Sequence, residues 1–235
     1  MKKSVFYVFA ILLAFSSCSK ADEFNDSLFE EYFGDWGCQD VSDSETYHLL
    51  EALIDNMDEN QGYLFLFPSS YNNYPSVTKF NEYMWDNKEA ATFFERDDCV
   101  SVLISTYLNS LKMNRYKAVD DGWLLENQWL FLFDYVLTSE ICMSKMNVKE
   151  KVQLMVLVLE RVKYEFINLT DLTIMISIML SSTYAPFVND VKPMLREAAM
   201  GTVYWLQTDD GRSLTVNQFT DLITGYARQF INDKK

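Results

Sequence analysis

The side chains able to carry chemistry are few and scattered. His48 is the only histidine among 235 residues, and Leu49 and Leu50 follow it directly. Nucleophilic catalysis needs a base beside a nucleophile, and no cysteine stands in a Cys–His enzyme motif. There is no G-x-S-x-G elbow, no G-x-G-x-x-G and no Walker loop. A single histidine and the lack of any C-x-x-C exclude the usual zinc sets. Asp55, Asp58, Asn60 and Gly62 invite comparison with a calcium loop. Counted from Asp58, however, the glycine falls one place early, and Ser69 stands where a bidentate glutamate belongs. No metal, cofactor or catalytic residue is therefore expected; the one enzyme class left open is carboxylate-based, because acids are abundant.

Two groupings remain. The first is Tyr71, Asn72, Asn73 and Tyr74, between Pro68 and Pro75, at the polar end of an aromatic loop over residues 60–76. Flat rings give contact area at low entropic cost, and rings can also stack on sugar, so these four residues form the candidate binding loop. Leu64, Phe65, Leu66 and Phe67, just before them, are expected in the core. The second grouping is acidic: Glu30, Glu31 and Asp35; Glu95, Asp97 and Asp98; Asp120 and Asp121; Asp209 and Asp210. Acids ahead of helices complement the helix dipole, which accounts for most of them, but their summed field steers basic partners.

Composition sharpens that choice. With 20 Lys+Arg against 34 Asp+Glu the net charge is −14 and the isoelectric point is near 4.4, which argues against nucleic acid or an anionic lipid surface as a partner. Hydrophobic residues make up 49%, too many for a disordered acidic tail. Only 7 Gly and 4 Pro speak against a many-turned β-sandwich and for helices.

The chain opens Met1-Lys2-Lys3-Ser4, then runs eleven apolar residues over 5–15, then Ser16, Ser17 and Cys18. A basic start, a short apolar run and small residues mark an export signal; a membrane span needs about 20 apolar residues. The ending Phe15-Ser16-Ser17-Cys18 resembles the lipobox of bacterial lipoproteins. That resemblance implies cleavage before Cys18, acylation of its thiol, palmitate included, and anchoring to a membrane of the bacterial cell envelope. Ser19, rather than an aspartate, stands after the cysteine, which points to the outer membrane. Loss of residues 1–17 removes two lysines and no acid, leaving 18 basic and 34 acidic residues and a net charge of −16. The expected organisation is a signal peptide at 1–17, a lipidated tether at 18–26 and an acidic helical domain at 27–235.

The elements that must hold these residues read as all-α: about seven to nine antiparallel helices in one domain, as a bundle or a short solenoid-like stack. A short helix is expected at 26–33. Ser42-Asp43-Ser44-Glu45 has capping-box spacing, followed by the stripe Tyr47, Leu50, Leu53, Ile54, Met57. Further helices are expected at 77–95, after Asp97, at 121–139, from Asn147 to about 168, from Thr170 or Asp171 to about 182, at 187–206 and at 215–232. The one at 121–139, apolar nearly all round, is expected to be the most buried. A turn is expected at 209–212. Residues 169–198 resemble a HEAT-type repeat in their helix–turn–helix layout and proline placement. Up-and-down topology would bring Cys38, Cys99 and Cys142 to one end, and an oxidising compartment would favour a Cys38–Cys99 disulfide.

The function expected is that of a lipid-anchored protein-binding module for a basic partner. An immunity-type inhibitor of a basic toxin is one form of that reading, and a carbohydrate-binding surface lipoprotein using Tyr71, Tyr74 or Trp36 is the alternative.

Overall fold

Apolar residues recurring every three or four positions wind this chain into helices. The computed structural model describes residues 26–34, 40–59, 77–114, 123–164, 167, 169–190, 206–207 and 213–235. The fold is all-α. Among the described residues the helices are α1 (Asp26–Phe33), α2 (Glu45–Glu59), α3 (Val77–Asp86), α4 (Lys88–Phe94), α5 (Cys99–Asn114), α6 (Trp123–Thr138), α7 (Glu140–Lys145), α8 (Val148–Tyr164), α9 (Leu169–Ser181) and α10 (Val216–Asp233). Residues 185–190 add a further helical stretch. A minimal hairpin precedes α10, in which β1 (Leu206–Gln207) pairs antiparallel with β2 (Ser213–Leu214). Residue 206, expected to close a helix, is therefore extended; the expected turn at 209–212 lies outside the described residues.

Caps set several boundaries. Gly34, at φ +48°, ends α1 by donating its N–H to the Glu30 carbonyl at 2.7 Å. At α2 the capping residue is Ser44, whose Oγ accepts the Tyr47 N–H at 3.0 Å, and not Ser42, which is held by Asp40 instead. The Asp98 carbonyl takes the first helical hydrogen bond of α5, one residue past the expected Asp97. Asn147 and Glu150 exchange reciprocal bonds of 3.0 and 2.7 Å at the start of α8. Thr215 and Gln218 do the same for α10.

The expected helix at 77–95 is two helices. Asn87, extended at φ −78° and ψ 123°, interrupts it, and its Oδ1 caps α4 through the Ala90 N–H at 2.8 Å. Its Nδ2 donates to Asn56 Oδ1 and to the Tyr83 hydroxyl, so the break is tied to α2. The carboxamide is buried with these bonds made, which holds the break in place. Ser139 likewise separates α7 from α6 by capping Cys142.

Among the described side chains the longest buried run belongs to α8; much of α6, expected to be the most buried helix, lies outside them. Residues 151–160 are buried without interruption, because α1, α5, α9 and α10 all pack against this one helix. Its polar residues are accommodated within the packing: Gln153 donates to the Tyr32 carbonyl of α1 at 3.2 Å. Around α8 the core is aliphatic and aromatic, with Trp129 stacked on Phe133 and Phe133 beside Tyr107. Each such buried side chain contributes roughly 1.5–3 kcal/mol.

One charged cluster lies inside. Arg161 of α8 donates through Nη1 to Asp134 of α6 at 2.9 Å, and through Nη2 to Asp171 of α9. Its guanidinium also sits 5.2 Å from the centre of the Tyr107 ring. Asp171, expected as a possible helix cap, is instead completely buried in this bridge. No described helix is long and apolar enough to cross a membrane.

Candidate functional site

An exposed tryptophan on α3 is the centre of the candidate site. The inward stripe of that helix runs through Phe80 and Met84, both buried, and ends at Asn87. Trp85 falls off the stripe and remains 52% exposed. Glu82 lies one helical turn before it and Asp86 directly after it, both exposed. The N-terminus of α7 packs alongside α3 and supplies Glu140.

Asn81 joins the two helices. Its Oδ1 accepts the backbone N–H of Glu140 at 2.9 Å, satisfying one of the donors that every helix start leaves open. The residue is 5% exposed. Because a backbone N–H must face the oxygen, that bond orients the carboxamide. Asn81, Glu82, Trp85, Asp86 and Glu140 together line an open cleft of about 240 Å³. None of the five is basic. Glu82, Asp86 and Glu140 have no ion-pair partner among the described residues. An aromatic face beside three carboxylates is chemically suited to a cationic group.

The residues singled out in the sequence lie elsewhere. Cys18, Trp36, Cys38, and the loop residues Tyr71, Asn72, Asn73 and Tyr74 are outside the described residues, as are Asp35, Asp120, Asp121, Asp209 and Asp210. Cys99 and Cys142 carry free, buried thiols, and Cys38, the other half of the expected Cys38–Cys99 disulfide, lies outside the described residues. Burial pushes both thiols up, with Cys99 adding to the effect at Cys142; Lys145 opposes it at Cys99 and Lys151 at Cys142. Such thiols are poor nucleophiles.

His48 is exposed on α2, its Nδ1 3.1 Å from Glu51. Among the expected acids, Glu31 pairs with Lys235 at 2.8 Å, and Asp98 accepts the Thr46 hydroxyl at 2.7 Å. These two therefore fasten the fold. No group of three or more His, Cys, Asp or Glu able to hold a metal occurs among the described residues.

Trp85 lies off the apolar stripe that marks residues 77–95 as helical, so periodicity alone does not single it out; its departure from that stripe, with acids at 82 and 86, is the signal in the sequence.

No family model, curated protein or solved structure matches the chain.

Proposed function

We propose that the protein is a lipid-anchored module of the bacterial envelope that binds another protein through a basic surface on that partner. The observation that carries the reading is the Trp85 cleft: a half-exposed indole lining one cleft with three carboxylates that have no ion-pair partner among the described residues, on a chain whose net charge is already −14. An exposed tryptophan of this kind is the residue type most enriched among interface hot spots. The surrounding field raises the encounter rate with a positively charged partner and falls away with salt. An immunity-type inhibitor that neutralises a basic toxin is one concrete form.

The anchor is proposed on Cys18, in the setting of residues 1–17 described above. Several acyl chains on one terminus hold far more firmly than one. Cys18→Ser should abolish incorporation of labelled palmitate and move the protein from the detergent phase to the aqueous phase. Unchanged partitioning would remove the anchor from the proposal.

The binding reading is tested by affinity capture from an envelope extract at low and high salt. A basic partner retained at low salt and released at high salt supports it; a partner held equally at both, or none, overturns it. Carbohydrate capture is a second reading, favoured by the flat exposed face of Trp85 beside the Asn81 amide.

A further inference from the structure

Two of the buried side chains are thiols, and the packing brings them to one place. Cys99 is the first residue of α5, and Cys142 lies in the first turn of α7, its N–H held by the Ser139 cap. Helix α4 ends at Phe94, five residues before Cys99, and α4 packs on α7. The start of α5 is thereby delivered to α7. Electrostatics place the groups the same way: the charge of Lys145, the last residue of α7, reaches Cys99, and Cys99 in turn acts on Cys142. Lys151, near the start of α8, also acts on Cys142. Such effects fall off quickly with distance, so two thiols and two lysines from three helices form one cluster. A single buried cysteine fills space like any small apolar residue. Two of them meeting across helices, both unbonded and only 3% and 0% exposed, have the layout of a reduced disulfide.

We propose that Cys99 and Cys142 are a dithiol that closes to a disulfide, stapling the start of α5 to α7, by exchange with an incoming disulfide. Cys99 has the residual exposure and reacts first. Its thiolate displaces one sulfur of the incoming disulfide to give a mixed disulfide, and the displaced sulfur takes up the proton that Cys99 lost. The Cys142 thiolate then attacks the Cys99 sulfur, which closes the Cys99–Cys142 bond and expels the second sulfur as a thiol carrying the Cys142 proton. The two cysteines give up two electrons and two protons, and one disulfide becomes two thiols. Lys145 and Lys151 offset the thiolate charge at Cys99 and Cys142 in turn. Burial slows both attacks in the folded chain, so the bond forms fastest while the chain is still folding. The staple closes a long loop, residues 99–142, and so removes much of the freedom of the unfolded chain.

The test starts from the mature full-length chain, reduced with dithiothreitol in urea and refolded in a buffer of glutathione and glutathione disulfide. Free thiols are then alkylated and the digest is mapped by mass spectrometry. A linked pair of peptides carrying Cys99 and Cys142, with Cys38 alkylated, is expected. The oxidised chain should melt about 5–10 °C above the same chain refolded with dithiothreitol. Cys142→Ala should erase that difference whatever it does to the melting temperature itself, and Cys38→Ala should keep both the linkage and the difference. Cys99 and Cys142 both alkylated, a bond from either of them to Cys38, a glutathione adduct left on Cys99, or equal melting temperatures in the two redox states overturns the proposal. The staple is independent of the partner-binding reading, which stands or falls by affinity capture.

Discussion

Asn81 of α3 accepts the backbone N–H of Glu140 at 2.9 Å, so one carboxamide both closes the start of α7 and fixes the wall of the acidic cleft. Asn81→Ala should cost about 1–2 kcal/mol, as loss of the buried partner of a backbone N–H does. Urea denaturation followed by circular dichroism measures the effect, and an unchanged midpoint would show that the link is dispensable.

Arg161 faces a larger penalty. It bridges Asp134 and Asp171, whose side chains are 9% and 0% exposed. Taking away the guanidinium leaves two carboxylates buried close together. Arg161→Met should cost about 3–5 kcal/mol, the range for breaking a buried pair on one side. Calorimetry would record the drop in melting temperature. A change below about 1 kcal/mol would mean that water reaches the cluster and screens it.

Two tyrosines set an alkaline limit. Burial pushes Tyr184 up to about 12, and its bond and charge partner Asp233 adds to the shift. Tyr226 is pushed to about 12 in the same way, by burial and then by Asp190. Unfolded tyrosine titrates near 10, so between pH 10 and 12 the folded chain binds more protons than the unfolded one. Stability is fully present below pH 10 and falls as the pH rises through 12. Tyr184→Phe with Tyr226→Phe should flatten that decline. Tyr135, also raised to about 12, keeps part of it. Denaturant midpoints measured from pH 9 to 12 decide the matter, and equal slopes for parent and variant would refute it.

Thr183 adopts φ +49°, a left-handed backbone that β-branched residues rarely take. It sits where α9 ends: its own N–H reaches the Leu180 carbonyl, and that of Tyr184 reaches the Met179 carbonyl. This is a Schellman ending with threonine where glycine is usual. Thr183→Gly should therefore raise stability by about 0.5–1 kcal/mol, the relief of left-handed strain outweighing the extra freedom of the unfolded chain. A lower melting temperature would show that the threonine side chain makes up for the strain.

Periodicity and caps made much of the fold legible. The helix at 26–33, the Asn147–Glu150 box and the start of α10 follow from local sequence because their determinants lie within four residues of one another. The break at Asn87 does not, since it depends on Asn56, 31 positions away. Nor does the centrality of α8: Lys151, Gln153 and Glu160 are residue types that favour solvent, yet each is buried by helices arriving from distant parts of the chain. Asp171 looked like a cap for the same reason, its partner Arg161 being invisible to local pattern. The cleft was half legible. An off-stripe tryptophan flanked by acids can be read from residues 82–86, but Glu140 comes from another helix.

The 2.8 Å bridge between Lys235 and Glu31 places the last residue of the chain beside the first described helix. If Cys18 is the mooring, residues 19–25 reach at most about 25 Å even when fully drawn out. Lys235 is then held on the same side of the domain as the mooring, within a tether's reach of the bilayer. A fluorescent reporter fused after Lys235 would report from the lipid side, and insertion of new sequence there would crowd the anchor.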